Sequence, residues 1–585
     1  MCGIAGLSTA DGAPPDPGVL DRLTAALAHR GPDGQGRHVR DGVGLVQTRL
    51  AIIDLEGGKQ PILDADGRAI VANGEVYNYL ELRDELPGVR FATGSDCEPP
   101  LHLYAAEGDG FAARLRGMVA AAIHDPGHGR LVLTRDPFGI KPLYLAEGPW
   151  GVAFASEAQA LVAAGLVAPE VDPARRSELL QLQFTTGAGT IFKGIRRLLP
   201  GETVMVEGGR VTASRRLPAL PEDGLLDDDP ERLAYRLDEV LMESVELHQR
   251  SDVPYGMFLS GGIDSSVVLA MMARLNPRPV LAFTAGFPGT SARDEREHAR
   301  ALARAVGARH IEVEFTEADF WSLLPRVAEA MDDPAADYAC LPTFKLAAEA
   351  RKEVKVILSG EGGDELFGGY GRYRAAMRPW PFARPMRRKG TFDGLDVLRE
   401  KPRGWRDGIA ASEHAARLPG RSRLQVAQAV DVADWLPNDL LTKADRCLMA
   451  NGVEGRVPFL DPVVAAFAFR LPDHLKVRKG LGKWLLRRWL DTALPAARPF
   501  SPKRGFTVPV AEWIAARPQV GALVAAQPGI AEIADADAVL RLFANIDKRT
   551  GFAAWTMLFY ALWHQRHVMG RKAEGDAFEM LGQRN

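Results

Sequence analysis

The sequence predicts an α+β domain followed by an α/β domain with a parallel sheet. Through about residue 210, short apolar segments such as GVGLVQTRLAIID and GRLVLTRDPFGIKPLYLA are bounded by Gly, Asp or Pro, as in strands joined by turns. Beyond about residue 230, strand-like and helix-like segments alternate, as in YGMFLS and VVLAMMARL, which indicates a parallel sheet with helices on both faces. From about residue 405 onward the pattern is mainly helical.

The chain length also favours more than one domain. With 585 residues, the chain is too long to fold around a single hydrophobic core. The segment LPALPEDGLLDDDPER combines prolines with a dense acidic run, which is typical of a linker. We therefore predict a first domain at 2–210, a linker at 211–230, a second domain at 231–570 and a tail at 571–585.

Composition and charge exclude several classes of protein. The net charge of -3 gives no electrostatic basis for binding nucleic acid or an anionic membrane, and we expect neither partner. The basic run RPWPFARPMRRKG is interpreted as a solvated loop. Four cysteines without a CxxC pair do not form a disulfide framework. Because residues 1–20 lack a signal-peptide pattern and no apolar run reaches about 18 residues, we predict a cytoplasmic protein.

The motif SGGIDSS follows a predicted strand and opens a predicted helix. Gly261 and Gly262 let backbone N–H groups approach an anion, and the helix N-terminus and nearby hydroxyls add donors for phosphate. Asp264 would repel a bare phosphate, so its presence indicates a bridging Mg²⁺. No GxxxxGK[ST] motif occurs, which excludes a standard P-loop. Taken alone, the motif is more typical of a capped helix after a tight turn.

A second glycine-rich loop, SGEGGDELFGGY, also follows a predicted strand. It places Glu361, Asp364 and Glu365 among five glycines, and acids in an exposed strand-end loop are suited to metal ligation or proton transfer. Asp264 and Asp364 together could hold Mg²⁺ over a triphosphate.

These two loops resemble the pyrophosphate loop of the ATP-pyrophosphatase superfamily and its partner loop in glutamine-dependent asparagine synthetases. VEGRVPFLD and SPKRGFTVP also match these enzymes. The resemblance implies an adenine-nucleotide α-hydrolase-like domain that adenylates a carboxylate and releases pyrophosphate. It implies that Glu361 guides ammonia or takes its proton, and that Lys503 stabilises charge on phosphate. It implies that ATP is bordered by Phe258, Ser260, Gly261, Gly262, Asp264, Ser265, Ser266, Ala285, Ser359 and Gly360.

The N-terminal sequence MCGIAG places a cysteine directly behind the initiator methionine. It is either the start of a buried strand or, after removal of Met1, an N-terminal nucleophile. In the second case the α-amine of Cys2, with a pKa near ~7.7–8.0, could take the thiol proton at neutral pH.

A nucleophile at Cys2 requires oxyanion donors and a substrate anchor. NGEVYN offers the side-chain amide of Asn73 and the backbone N–H of Gly74. Arg49 can pair with a substrate α-carboxylate, and Asp96 can bind a substrate ammonium. Each residue also has an ordinary explanation: a hairpin turn for Asn73-Gly74, a surface ion pair for Arg49 and a turn acid for Asp96.

Six segments in order resemble the class II glutamine amidotransferase domain of the N-terminal-nucleophile fold: MCGIAG, HRGPD, RLAIIDL, NGEVYN, RDPFGIKPLY and FASE. The resemblance implies an αββα sandwich of two antiparallel sheets between helix layers. It implies an oxyanion hole at Asn73 and Gly74, and Arg30 near the ammonia exit. The residues implied to bind glutamine are Arg49, Ile52, Glu75 and Asp96.

The chain departs from these families at three points. Gln47-Thr48 stand where many relatives have a His-Arg pair, and Pro99-Pro100 stand at an apolar helical start, where we expect local reshaping. Tyr338-Ala339-Cys340 replace a small Ser-Ser-Ala-like run beside the expected acceptor pocket.

The resemblance implies a glutamine-hydrolysing asparagine synthetase. Glutamine would be hydrolysed at Cys2, and its ammonia channelled to a β-aspartyl-AMP made from aspartate and MgATP. The alternative is the same chemistry on another acceptor carboxylate, such as a peptide or specialised metabolite, because the motifs do not fix the acceptor. A non-catalytic scaffold is disfavoured because the motif residues are present. Relatives of this kind suggest a homodimer.

Overall fold

The computed structural model describes residues 2–222, 224–292, 294–379, 381–382, 384–501 and 507–583. The first part of the chain forms β1 (Cys2–Thr9), β2 (Gly34–Arg40), β3 (Val43–Arg49), β4 (Ile62–Leu63), β5 (Ala69–Val76), β6 (Gly117–Asp125), β7 (Arg130–Arg135), β8 (Tyr144–Gly148), β9 (Gly151–Ala155), β10 (Ile195–Arg197), β11 (Glu202–Glu207) and β12 (Arg210–Arg216). Its helices are α1 (Pro17–Ala26), α2 (Tyr79–Asp84), α3 (Pro99–Glu107), α4 (Ala158–Ala163) and α5 (Pro173–Leu182).

These strands form two antiparallel sheets, in the orders β10-β8-β9-β1-β3-β2 and β12-β11-β7-β6-β5-β4. Ile4, Leu45, Val71 and Leu133 belong to the core between the sheets. Helices α1 and α4 pack outside the first sheet, and α3 outside the second. The predicted αββα sandwich is confirmed. Helix α3 begins at Pro99, which a first helical turn tolerates, so the expected helix is kept.

The second part of the chain is built around a five-stranded parallel sheet. Its strands are β13 (Tyr255–Phe258), β14 (Leu281–Gly286), β15 (Arg309–Glu314), β16 (Val356–Leu358) and β17 (Glu454–Arg456), followed by a hairpin of β18 (Val477–Arg478) and β19 (Leu481–Gly482). The sheet order is β15-β14-β13-β16-β17. The strand order reverses between β13 and β16, which is the position where open parallel sheets bind ligands. The predicted parallel α/β sheet is confirmed.

Helices cover both faces of this sheet and form most of the chain beyond it. They are α6 (Pro230–Leu247), α7 (Ile263–Leu275), α8 (Arg296–Ala305), α9 (Glu317–Ala330), α10 (Cys340–Ala350), α11 (Gly363–Phe367), α12 (Gly371–Ala376), α13 (Asp407–Ala415), α14 (Arg423–Val430), a π-helix at Asp431–Leu441, α15 (Thr442–Met449), α16 (Pro462–Arg470), α17 (Asp473–Lys476), α18 (Trp484–Ala493), α19 (Val510–Ala516), α20 (Val520–Ala525), α21 (Pro528–Ala531), α22 (Ala536–Ala544), α23 (Thr550–His567) and α24 (Ala577–Gly582). Among the described residues, no helix has the length and apolarity needed to cross a membrane.

Regular elements extend into the predicted linker and tail. Strand β12 extends to Arg216 and α6 begins at Pro230, so the stretch between regular elements is shorter than the predicted linker. In the predicted tail, α24 buries Met580 and Leu581 against the core that contains α9 and α23.

The two parts share a continuous interface. One hydrophobic core contains Leu23 and Leu161 of the sandwich together with Leu324 and Trp563 of the helical part. Buried ion pairs cross the same boundary, including Arg30 with Asp445 and Arg197 with Asp333. The interface thus brings the start of β1 close to the second domain.

Candidate active sites

Cys2 occupies the first position of β1, which pairs with β3 and β9. Its side chain is buried, and its backbone N lies 3.2 Å from Asn73 Oδ1 on the facing sheet. Arg49 is its cross-strand partner on β3. The sandwich therefore brings together Cys2, Asn73 and Arg49, as the motif interpretation predicts.

Asn73 places a side-chain amide beside Cys2, and Gly74 follows it in β5. Because Asn73 Oδ1 accepts from Cys2 N, the amide Nδ2 is left as a donor, and it is buried without a hydrogen-bond partner among the described residues. Gly74 has a φ of 148°, and a Cβ at this position would lie 1.9 Å from Met118 O. The backbone here requires glycine, and a buried unpaired donor beside a nucleophile is suited to receive an oxyanion.

Gln47 contacts the nucleophile directly. Its Nε2 lies 3.0 Å from Cys2 Sγ and donates to the sulfur. The adjacent Thr48 Oγ1 accepts from Gly3 N and donates to Leu27 O, which fixes the backbone beside Cys2. The Gln47-Thr48 departure from the family pattern therefore lies inside the site.

Burial raises the pKa of the Cys2 thiol above its ordinary value, against the opposing positive charges of the chain N-terminus and Arg49. A thiol in this state carries little thiolate at neutral pH and requires a base for attack.

The expected glutamine-binding residues surround the same point. The Arg49 guanidinium donates to the carbonyls of Leu55 and Asp54, at 2.9 and 2.6 Å. It forms no ion pair with a carboxylate among the described residues. Glu75 and Asp96 are both buried, and desolvation raises the pKa of each carboxyl. Two buried acids opposite an arginine suit a zwitterionic amino acid.

The other glutamine-binding candidate, Ile52, is buried in the loop that follows Arg49. Its carbonyl accepts from Asp252 N at 3.1 Å. It connects the glutamine site to the start of the second domain.

Arg456 connects the two sites. It is fully buried on β17, where its Nη2 lies 3.3 Å from Glu75 Oε2 and its Nε lies 2.6 Å from Glu454 Oε1. Its carbonyl accepts from Ser359 N at 2.9 Å, at the start of the loop after β16. One residue of the second domain thus contacts a glutamine-site carboxylate and the backbone of an ATP-site loop.

The two glycine-rich loops leave adjacent strands β13 and β16 at the carboxyl edge of the parallel sheet. Gly261 has a φ of 69°, and Gly262 precedes α7 as its N-cap. A Cβ at Gly360 would lie 2.8 Å from Asp264 Cβ, so glycine permits the two loops to approach this closely.

Two adjoining cavities lie between these loops. The strand-edge cavity, of about 290 Å³, is lined by the predicted residues Phe258, Ser260, Asp264, Ser265, Ala285, Ser359, Gly360, Glu361 and Asp364. The loop cavity, of about 340 Å³, is lined by Ser260, Gly261, Gly262, Asp264 and Asp364. Ser266 lines neither cavity, because its hydroxyl donates to Gly262 O inside α7 at 2.7 Å. Lys503 lies outside the described residues.

Lys483 lies between the two acids predicted to bind Mg²⁺. Its Nζ is 2.7 Å from Asp364 Oδ1 and also contacts Asp264 Oδ2. It is held in position by a left-handed backbone conformation, with a φ of 59°, at the N-cap of α18. The two carboxylates therefore converge on one point of positive charge.

Glu361 faces a lysine of the strand-edge cavity. Lys443 Nζ lies 4.0 Å from Glu361 Oε1 and 3.0 Å from Asp337 Oδ2. Desolvation raises the pKa of Glu361, and nearby carboxylates add to this increase while Lys443 opposes it. A carboxylate with a raised pKa is a better proton acceptor than an ordinary one.

The departure at Tyr338-Ala339-Cys340 lies beside these cavities. Tyr338 and Ala339 line the loop cavity, and Tyr338 packs against the Phe552 ring with centroids 5.7 Å apart. Cys340 is fully buried as the first residue of α10.

Comparison with known proteins identifies the family. The asparagine synthase family model matches residues 236–565, and the glutamine amidotransferase domain model matches residues 1–216. A putative glutamine-hydrolysing asparagine synthetase of Mycobacterium tuberculosis is 36% identical over 96% of this chain and 95% of its own length. The chain belongs to the glutamine-hydrolysing asparagine synthetase family.

Other relatives in this family show the same full-length coverage. Glutamine-hydrolysing asparagine synthetase 1 of Bacillus subtilis is 33% identical over 98% of both chains. Among solved structures, glutamine phosphoribosylpyrophosphate amidotransferase from B. subtilis aligns with a TM-score of 0.28 at 14% identity. The alignment covers 54% of this chain and 81% of that chain. That likeness is too slight to inform the fold.

In this asparagine synthetase family member, sequence reasoning missed four residues: Gln47, Lys443, Arg456 and Lys483. Arg456 stands in the quoted segment VEGRVPFLD, and Gln47 in a stated departure, so both carried a signal that was not given a role. Lys443 and Lys483 carried none, since Lys443 reaches Asp337 across 106 positions and Lys483 reaches Asp264 across 219 positions of chain.

Proposed function

We propose that this chain makes asparagine from aspartate, with glutamine as nitrogen donor and ATP converted to AMP and pyrophosphate. The observation that carries the proposal is the unpaired Asn73 amide beside a buried Cys2, in a chain whose second domain converges two glycine-rich loops at the switch point of a parallel sheet. Family membership supports both half-reactions.

At the first site, removal of Met1 would free the Cys2 α-amine to act as base. The amine takes the thiol proton, the sulfur attacks the side-chain amide carbon of glutamine, and the proton passes to the leaving nitrogen as ammonia. Asn73 Nδ2 and the Gly74 N–H stabilise the oxyanion. Water then hydrolyses the thioester to glutamate.

The binding of glutamine follows from the charges around Cys2. Arg49 would pair with the α-carboxylate, and Glu75 and Asp96 with the α-ammonium. Burial raises the pKa of each acid in the ligand-free site. The α-ammonium of bound glutamine would favour the ionised carboxylates, because a nearby positive charge stabilises the charged form.

At the second site, ATP would lie along the strand-edge and loop cavities, where the aspartate β-carboxylate attacks its α-phosphorus and pyrophosphate leaves. Asp264 and Asp364 fit Mg²⁺, because their carboxylates converge on a cationic point and Mg²⁺ usually takes one or two carboxylates plus phosphate oxygens. When bound, Mg²⁺ would neutralise charge on the triphosphate. Lys483 supplies positive charge at the same point.

Ammonia would then attack the β-aspartyl-AMP and displace AMP. Glu361 would take the proton that this attack releases; it faces Lys443, which Asp337 holds by an ion pair. Lys503 would stabilise charge on the phosphate.

We also propose the predicted domain boundaries, a cytoplasmic location and a homodimer. Size-exclusion chromatography with light scattering would measure the mass of the assembly and so test the homodimer.

The test is a comparison of acceptor acids. Protein incubated with ammonium, MgATP and each acid in turn should release pyrophosphate with aspartate and form asparagine and AMP. Pyrophosphate release with another acid but not with aspartate would contradict the proposed acceptor, and ADP with phosphate would contradict adenylation.

A further inference from the structure

A cavity of about 680 Å³ lies away from both proposed sites, between the loop after α12 and the helices α13 and α14. Four arginines line it, Arg384, Arg417, Arg421 and Arg423, with a single acid, Glu413. The volume lies within the range of small-molecule sites, roughly 300–1,000 Å³.

The four guanidinium groups lack carboxylate partners. In the part of the chain that the structure describes, none of them forms an ion pair; Arg384, Arg417 and Arg423 are exposed, and Arg421 is partly buried. Arg421 donates to the carbonyls of Ala416 and Pro221 at 3.3 Å.

The acids near the cavity do not neutralise this charge. Glu413 is already held by Arg406 Nη2 at 2.7 Å and by Met386 N at 2.6 Å. Glu222 acts on Arg421 only from beyond ion-pair distance. The Arg421 Nε is itself buried without a partner among the described residues. The cavity therefore presents excess positive charge and the unsatisfied Arg421 Nε donor, while Arg423 donates to the Arg378 carbonyl.

The floor of the cavity is apolar. Met386 and Ala427 are buried, and Pro385, Leu418 and Val426 contribute further apolar surface. Part of the basic run interpreted from sequence as a solvated loop lines this cavity: Arg384 and Pro385 are exposed, as a solvated loop predicts, whereas Met386 is 5% exposed and buried. The burial arises because Phe184, Ile409 and Ala427 belong to the same apolar cluster as Met386.

We propose that this arginine-lined cavity binds a small phosphorylated molecule whose body packs on the apolar floor. Guanidinium groups are opposite in charge to phosphate oxygens and can bind them in bidentate geometry. Several guanidinium groups around one cavity favour a dianionic phosphoryl group over a single carboxylate. The assignment is independent of the proposed synthetase reaction, because none of the lining residues is part of that site.

The experiment is calorimetric titration of the full-length protein with phenyl phosphate, inorganic phosphate and phenylacetate. Phenyl phosphate should bind, inorganic phosphate should bind more weakly because it lacks an apolar body, and phenylacetate should bind most weakly. Arg417→Gln with Arg423→Gln should weaken phenyl phosphate binding at least about tenfold, as expected for losing hydrogen bonds to a charged group.

The matched control is Arg388→Gln, at an exposed position of the same basic run outside the cavity, which should leave binding unchanged. Thermal unfolding verifies that the variants fold, and the single variant Arg417→Gln serves if the double variant does not. Absence of phenyl phosphate binding, equal weakening by Arg388→Gln, or phenylacetate binding as tightly as phenyl phosphate would each overturn the assignment.

Discussion

At the scale of single residues, the chemistry at Cys2 depends on side chains from three strands. Asn73 and Arg49 were predictable because their motifs combine residue types that a nucleophile requires. The role of Gln47 was not, since its contact with Sγ is diagonal across β1 and β3 and depends on a register that sequence does not give.

Gln47→Leu should lower the glutaminase kcat/KM by about tenfold or more, because it removes a donor to a sulfur that becomes anionic in the reaction. It should also shift the acidic limb of the pH profile for kcat/KM upward, since the thiolate loses stabilisation. Steady-state glutamate release measures both. Gln35→Leu, on the neighbouring β2, is the control, and an unchanged profile in Gln47→Leu would refute the role.

Asn73→Ala should lower the glutaminase kcat by roughly 10²–10³, the typical effect of losing one oxyanion donor. Synthesis with ammonium in place of glutamine should stay near the wild-type rate, because the second site is untouched. Equal losses in both assays would indicate a general structural defect and would exclude an oxyanion role.

At the scale of elements, the loops after β13 and β16 were predictable because strand-loop-helix patterns end in glycines and acids. The order β15-β14-β13-β16-β17 was not, because β17 is three residues long and follows β16 by about a hundred residues. For the same reason the approach of Lys483 to Asp264, across 219 positions, left no trace in local sequence.

The loop after β16 also contains a buried acid outside the proposed chemistry. Glu365 is 1% exposed, its Oε1 accepts from the Tyr370 hydroxyl at 2.6 Å, and desolvation raises its pKa to about 8. An unfolded glutamate titrates near ~4.3. Between the unfolded pKa and the folded pKa, Glu365 is protonated in the folded state and ionised in the unfolded state. The free energy of unfolding therefore falls as the pH rises from the lower pKa to the higher one.

Glu365→Gln should therefore raise the Tm relative to wild type by an amount that grows between pH 5 and pH 8. Differential scanning calorimetry at several pH values measures the difference, with the exposed Glu239→Gln as control. A difference that is constant across this range would contradict a raised pKa at Glu365.

At the scale of the whole molecule, a buried interface fixes the positions of the two proposed sites relative to each other. The two-domain division followed from length and the acidic linker, but the contacts across it join residues hundreds of positions apart, which sequence patterns cannot pair. Arg30 illustrates this: it contacts the Cys2 carbonyl at 3.2 Å and forms a two-contact pair with Asp445 of the second domain.

Arg456→Met should raise the KM for glutamine and produce glutamate in excess of asparagine, because it removes the guanidinium that joins Glu75 to Glu454 and to the carbonyls of His248 and Arg250 in the second domain. It should also lower the Tm, since removing one partner of a buried ion pair costs about 3–5 kcal/mol. Paired assays of glutamate and asparagine give the ratio. Arg488→Met, at an exposed ion pair with Glu231, should leave the ratio at the wild-type value.

The most direct test of the central claim is to supply glutamine labelled with ¹⁵N in its side-chain amide, together with aspartate and MgATP. The account predicts ¹⁵N in the side-chain amide of asparagine, with AMP and pyrophosphate formed in equal amounts. It also predicts that Cys2→Ala abolishes the transfer while ammonium still supports synthesis. Unlabelled asparagine, or transfer that persists in Cys2→Ala, would contradict it.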